Sequence, residues 1–320
     1  MNKEKNLPSI IFFGTPEFAR FCLEFMMDEG FHIKAVVTTP DRRAGRGKNF
    51  RESPVKTFAK AKGILIFQPT NLKEPEFILE LTKLYAQAFV VVAFRMLPEV
   101  VWSIPTLGTI NLHASLLPNY RGAAPINWVL INGDTISGIT TFLINEAIDS
   151  GSILMQKEVL IEETDDASSL HDKLLKLGAP LIANTLIGLK NETLVFKKQQ
   201  LLGTEKIAPK LNLENTRIDW NCSLYEIENL VRGLSPYPGA WSFFLNKSGE
   251  PERIKIFKLE TIYKTHSFPS KQILAEGKKL YITHKEGFIN CIEIQLQNKK
   301  RMTSKSLLNG YQFSPNTSLL

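Results

Sequence analysis

Through the first two hundred residues, short apolar runs alternate with amphipathic stretches. SIIFFG (9–14) has the length and continuity of a buried strand, and PEFARFCLEFMMDEG (16–30) repeats apolar residues at helical spacing before closing on Gly30. HIKAVVT (32–38) predicts a second strand, FILELTKLYAQ (77–87) a helix, and AFVVVAF (88–94) and GTINLHA (108–114) two more strands. APINWVLINGD predicts a helix, SGITTFLIN a strand, and 166–189 a long amphipathic helix opened by a capping Asp or Ser. Strands separated by helices predict an α/β fold with a doubly wound, mostly parallel sheet.

After about residue 205 the pattern changes. TEKIAPKLN reads as a linker, and IDWNCSLYEIENLVRGLSPYPGAW as one helix followed by a Pro-rich turn. Beyond it, ERIKIFKLETIY and KKLYITHKEGFINCIEIQLQ alternate apolar and polar residues around a KEG turn, which predicts a small β-barrel or antiparallel sheet. Two domains are therefore expected, 1–205 and 206–320. Charge divides in the same place: residues 1–205 carry 22 Lys and Arg against 22 Asp and Glu, and residues 206–320 carry 17 against 10. The net charge of +7 thus belongs to the second part. Either an ordinary lysine-rich surface or a polyanionic partner would account for it. No apolar run reaches the roughly 18 residues of a membrane span. MNKEKNLPSIIFFG is too short in apolar residues for a signal peptide, so a cytoplasmic protein is expected. Three scattered cysteines (Cys22, Cys222, Cys291) and five scattered histidines argue against a disulfide framework and against a metal.

FFGTPEFA offers one glycine after the first strand, not GxGxxG, and nothing reads as a P-loop, so dinucleotide and P-loop chemistry are disfavoured. Gly14 still permits a tight turn at the edge where open α/β sheets bind ligands. Asn111 and His113 stand two apart, which on a strand sends both side chains to one face. An amide there can donate to a developing oxyanion while an imidazole moves a proton; a satisfied polar pair capping a core strand is the plainer alternative. Asp149, in NEAIDSG, is the best carboxylate to tune that histidine, although Asp-Ser-Gly is also an ordinary turn. In 38–56, six cations (Arg42, Arg43, Arg46, Lys48, Arg51, Lys56) face Asp41 and Glu52. Such a loop could grip phosphates, or it could be a solvated charge run.

Taken together, IIFFGTPEFA (10–19), TTPDRRAGRGK (38–48), NLHASLLPNYRGAAPINW (111–128), the Asp149 segment, IDW (218–220), LSPYPGAW (234–241) and KKRM…LLNGY resemble the methionyl-tRNA formyltransferase family, a branch of the folate-dependent formyltransferases. The pieces fall in the family's order over nearly the whole chain. NLHxSLLPxYRGxxP marks the wider group, and AGRGK with the C-terminal pieces narrows it. The resemblance implies a Rossmann-like catalytic domain and an OB-like C-terminal barrel that helps hold tRNA. It implies transfer of a formyl group from 10-formyltetrahydrofolate to the α-amine of initiator methionyl-tRNA, by a monomer without metal. It assigns catalysis to Asn111, His113 and Asp149. The folate wall falls to Ser115, Leu116, Leu117, Pro118, Phe94, Met96 and Leu97. Contacts to tRNA fall to Arg42, Arg43, Arg46 and Lys48, with Gly14, Thr15 and Pro16 near the aminoacyl end. AFRMLP departs from the family pattern by placing Phe94 and Arg95 where Tyr-Gly is usual and by being one residue shorter. NEAIDSG departs from Met-x-x-Gly-Leu-Asp-x-Gly but keeps the Asp. Formylation of another amine (glycinamide ribonucleotide or an amino sugar) and a non-catalytic RNA-binding protein are the alternatives. The basic second half argues against the first, and the intact Asn111, His113 and Asp149 against the second.

Overall fold

Seven strands form the principal sheet. In chain order they are Ile10–Gly14 (β1), Ile33–Val37 (β2), Ile66–Phe67 (β3), Ala88–Val92 (β4), Thr109–His113 (β5), Ile136–Leu143 (β6) and Ile153–Leu160 (β7). Their order across the sheet is β7-β6-β5-β4-β1-β2-β3. β1 and β4 are buried at every position, as unbroken apolar runs covered on both faces must be. The pairs β1–β2, β1–β4, β2–β3 and β4–β5 are parallel, and β6 joins β5 antiparallel. The computed structural model describes residues 7–44, 49–315 and 317–320, and at 42–44 and 49 the backbone alone.

The expected helix after β1 spans Glu17–Asp28, and its buried Phe18, Ala19, Cys22, Leu23 and Met26 recur at helical spacing. Gly14 makes the strand-to-helix turn possible: a Cβ there would lie 2.6 Å from Ala19 Cβ and 2.8 Å from Phe12 Cε1. The long helix runs Ala167–Lys190 and sits close on the sheet at Gly178, where a Cβ would come within 2.6 Å of Ile139 and 2.9 Å of Leu112. The helix Pro54–Ala61, capped by Ser53, begins inside the stretch 38–56 that reads as a cationic loop, and neither it nor the short β3 is among the elements expected from the sequence. Its base is pinned. Lys56 pairs with Asp41 at 2.5 Å, and Gln68 donates to Asp41 Oδ1 (2.8 Å) and Thr39 O (2.9 Å). The bonds from Lys56 and then from Gln68 hold the Asp41 carboxyl below its usual range.

The chain divides into two compact units. One takes the described residues up to Pro125, Ile136–Val159 and Asp172–Ile207; the other takes Ile126–Thr135, Leu160–His171 and Ala208–Leu320. The second unit holds an antiparallel sheet of Ala240–Leu245 (β8), Pro251–Tyr263 (β9), Ile273–Glu276 (β10), Lys279–His284 (β11) and Gly287–Leu296 (β12). These strands run in the order β8-β9-β12-β11-β10. The KEG turn joins β11 to β12 with Gly287 at φ 149°. The chain's last residues tie the two edges together: Leu319 bridges to Phe244 and Ser318 to Gln272. The expected helix spans Leu224–Leu234 and opens with a capping box between Ser223 and Glu226. It packs Leu224, Ile227 and Val231 onto a core of Ile254, Ile256, Leu280, Ile282 and Ile289. Among the described residues, no helix is long and apolar enough to cross a membrane.

Candidate active site

Register brings the carboxyl ends of three parallel strands together. Gly14 of β1 lies opposite Val92 of β4, and Val92 opposite Leu112 of β5. Strand order reverses between β1 and β4, the place where an open α/β sheet leaves a crevice for a ligand. Thr15 and Pro16, which lead into Glu17–Asp28, leave β1 at this edge; Ala93 and Phe94 leave the neighbouring β4 there, and His113 ends β5 one strand further on. The Thr15 hydroxyl is buried without a hydrogen-bond partner among the described residues.

Asn111 and His113 share one face of β5. The Asn111 side chain is half-buried and makes no hydrogen bond among the described residues. His113 is buried, with its Nε2 2.8 Å from the Tyr120 carbonyl oxygen. A carbonyl only accepts, so Nε2 carries the hydrogen and Nδ1 is the nitrogen free to take or return a proton. That Nδ1 lies 3.7 Å from Asp149 Oδ2, with 7% and 14% of the two side chains exposed. The separation is too long for a hydrogen bond but within ion-pair distance of an imidazolium. Asp149 Oδ2 also accepts from the Gly122 amide at 2.9 Å, which fixes the carboxylate from the opposite side.

Asp149 is indeed in a turn, at φ +50°, a conformation Asp and Asn tolerate better than most residues. The turn presents the carboxylate on the side of His113. Two further side chains hold that turn. Gln199 Nε2 donates to the carbonyls of Asp149 (2.9 Å) and Gly151 (2.8 Å), and its Oε1 accepts from Arg121 Nη2 at 2.5 Å and Nε at 3.1 Å.

The residues expected to line a folate site divide into two groups. Ser115 is buried and its hydroxyl donates to Asn119 O at 2.7 Å; Leu117 packs with Phe142 and Ile153; Leu97 is in the core beside Phe89 and Val91. From these three, only backbone can reach a ligand. Leu116 and Pro118 are half-buried, Phe94 packs edge-on against Phe13, and Met96 is 73% exposed, so these offer side-chain surface. Thr140 and Gln156 hold the 115–118 turn: Thr140 Oγ1 donates to Ser115 O (2.6 Å), and Gln156 Nε2 donates to Leu117 O (2.9 Å). The Leu117–Pro118 peptide is cis. Arg95, the departure from the family pattern, turns to the carbonyls of Thr70 (2.9 Å) and Pro69 (2.5 Å). Of the cationic loop, Arg46 and Lys48 lie outside the described residues, and Arg42 and Arg43 are described by backbone only, in a short pair with 49–51.

Sequence reasoning missed Arg121's role, Gln199, Thr140 and Gln156. Thr140 and Thr141 carried a signal, as polar residues within an otherwise apolar strand. Gln199 carried none, because its partners are 48 to 78 residues away. Among the described residues, no group of three metal-ligating side chains occurs.

Comparison with known proteins adds to this geometry. The family model described as formyl transferase matches residues 9–186, and that of the formyl transferase C-terminal domain matches 210–312. The methionyl-tRNA formyltransferase of Flavobacterium johnsoniae is 47% identical over 305 residues, covering 95% of this chain and 96% of that protein. The same-named protein of Bacteroides thetaiotaomicron is 43% identical, covering 95% and 96%. Among solved structures, the sugar 3N-formyl transferase WlaRD superposes with a TM-score of 0.63 at 20% identity, over 92% of this chain and all of that one. HypX from Aquifex aeolicus with tetrahydrofolic acid gives 0.64 at 15% identity, over 95% and 47%. At those identities the likeness is one of fold.

Proposed function

The chain belongs to the formyl transferase family, and from that premise we propose that it transfers the formyl group of 10-formyltetrahydrofolate to the α-amine of initiator methionyl-tRNA. The observation that carries this reading is the match to methionyl-tRNA formyltransferases over 95% of the chain at 47% identity, spanning both family regions. The half-buried, unpartnered Asn111 amide beside His113 fits a carbonyl substrate, and the exposed Met96 with Leu116 and Pro118 offers side-chain surface for the flat faces of an aromatic ring system.

The folate co-substrate supplies the formyl carbon. The Asn111 amide donates to the formyl oxygen, which gains negative charge as the amine adds; such a preorganised donor is stronger in the transition state than in the ground state. His113 takes the amine's proton on Nδ1 and returns it to the departing folate nitrogen, because Nε2 is occupied by Tyr120 O. Asp149 holds the imidazolium charge across 3.7 Å without accepting its proton. Gly14, Thr15 and Pro16 would meet the aminoacyl end, with Arg42, Arg43, Arg46 and Lys48 toward the acceptor-stem phosphates. In this reading the basic segment 206–320 adds charge-assisted contacts to tRNA, the chain acts as a monomer in the cytoplasm, and no metal takes part.

The deciding experiment offers labelled 10-formyltetrahydrofolate together with charged initiator tRNA, charged elongator tRNA and free amino sugars. Label on initiator methionyl-tRNA alone is the expected result. Label on an amino sugar, or on nothing, would overturn the reading.

A further inference from the structure

A turn as short as 144–152 does not by itself hold a carboxylate to one azimuth. Ser150 bonds only within the turn, to Asn145 Oδ1 (2.8 Å) and Ala147 O (3.0 Å). The external restraint comes from elsewhere in the chain. Lys197 and Ile153 exchange both backbone hydrogen bonds, at 2.8 and 3.0 Å, as an isolated antiparallel bridge. Antiparallel register then sets residue 199 opposite residue 151, and Gln199 reaches the carbonyls of both Gly151 and Asp149. Two acceptors on one side and a guanidinium on the other allow one amide orientation, Nε2 to the carbonyls and Oε1 to Arg121. Arg121 precedes Gly122, whose amide meets the Asp149 carboxylate. The two clamps on Asp149, one on its carbonyl and one on its side chain, are therefore joined through a single peptide unit.

We propose that Arg121 and Gln199 are positioning residues that set the distance and direction of Asp149 from His113. The proposal rests on the reading of Asp149 as the partner of the histidine. Gln199 touches neither His113 nor Asn111 in this arrangement; it acts through the turn. Arg121 directs both Nε and Nη2 at Gln199 Oε1, which ties its guanidinium to the turn. The clamp also accounts for a non-glycine residue at φ +50°: external hydrogen bonds hold a backbone conformation that a free turn would populate poorly.

The test is Gln199→Glu in the full-length protein. The substitution keeps the shape and the contact to Arg121, but a carboxylate cannot donate to the carbonyls of 149 and 151. In formyl transfer to methionyl-tRNA, kcat should fall about 10- to 100-fold, the penalty of roughly 1 Å of misplacement. KM for the formyl donor and for the tRNA should stay within about threefold, since no binding contact is lost. In an Asp149→Asn background the same substitution should change kcat less than about twofold, because residues that act through one another are not additive. Arg121→Lys, which keeps the charge but not the fork, should act in the same direction and more weakly, and it serves as the variant to read if Gln199→Glu does not fold by circular dichroism. An unchanged kcat, an undiminished effect in the Asp149→Asn background, or a loss confined to the KM for tRNA would each overturn the proposal. Wild-type protein that does not formylate methionyl-tRNA would instead overturn the functional reading beneath it.

Discussion

Replacing Asp149 with Asn isolates one physical quantity, the charge on the carboxylate. Asn is isosteric, tolerates φ +50° as Asp does, and can still accept from the Gly122 amide through its Oδ1. Backbone, packing and the Gln199 bonds all remain. The lost term is the attraction between carboxylate and imidazolium. At 3.7 Å, with an effective dielectric near 20, that attraction is about 4 kcal/mol. The largely buried environment, with 7% and 14% exposure, leaves little solvent to replace it. Each 1.4 kcal/mol is about tenfold in rate, so full loss corresponds to about a thousandfold, and the dipole of the new amide returns part of it. The expected outcome is a kcat lower by about 10²- to 10³-fold, with KM for both substrates within about threefold. Single-turnover transfer of labelled formyl to methionyl-tRNA measures this directly. A variant retaining more than about a third of wild-type kcat would show that His113 is never an imidazolium in the rate-limiting step, and the role given to Asp149 would fail.

Three further outcomes follow from the same structure. Asn111→Ala removes one oxyanion donor from a half-buried position that makes no internal bond, so kcat should fall about 10²- to 10³-fold while the thermal midpoint barely moves; a large stability loss with intact activity would make Asn111 structural. Gly151→Ala would place a Cβ 1.6 Å from Leu143 O, a backbone atom that cannot rotate away, so β6 and the segment before β7 must separate. Overpacking of this kind is expected to lower stability by about 3 kcal/mol and to abolish activity with it, read by thermal melting. Burial pushes the Cys22 thiol up and that of Cys291 to about 12; partial burial and then the Asp219 and Glu226 carboxylates also raise Cys222, but it alone is reached by solvent, so at pH 8 only Cys222 should react, slowly, with iodoacetamide in the native protein. Full alkylation without denaturant would contradict the buried placement of the other two.

Much of the fold is legible locally because burial imposes a period on the chain. IIFFG and AFVVV had to be covered on both faces, and FARFCLEFM had to face one way. The pairing of Asn111 with His113 follows from the twofold repeat of a strand alone. Other features depended on partners distant in sequence. That β6 runs against β5 is a matter of connection, not composition. Pro54–Ala61 was hidden because its neighbours carry the charge of a loop, although Ser53 caps it.

At the site, residue types and order determined that an amide, an imidazole and a carboxylate were available. Only the tertiary structure decided what each touches. It engages Lys56 with Asp41, turns Ser115 inward to Asn119, and joins Arg121 through Gln199 to the turn that carries Asp149. The reason is one of range. Periodicity acts over a few residues, whereas a hydrogen bond between positions 121 and 199 exists only after a strand bridge at 153 and 197 has set the register.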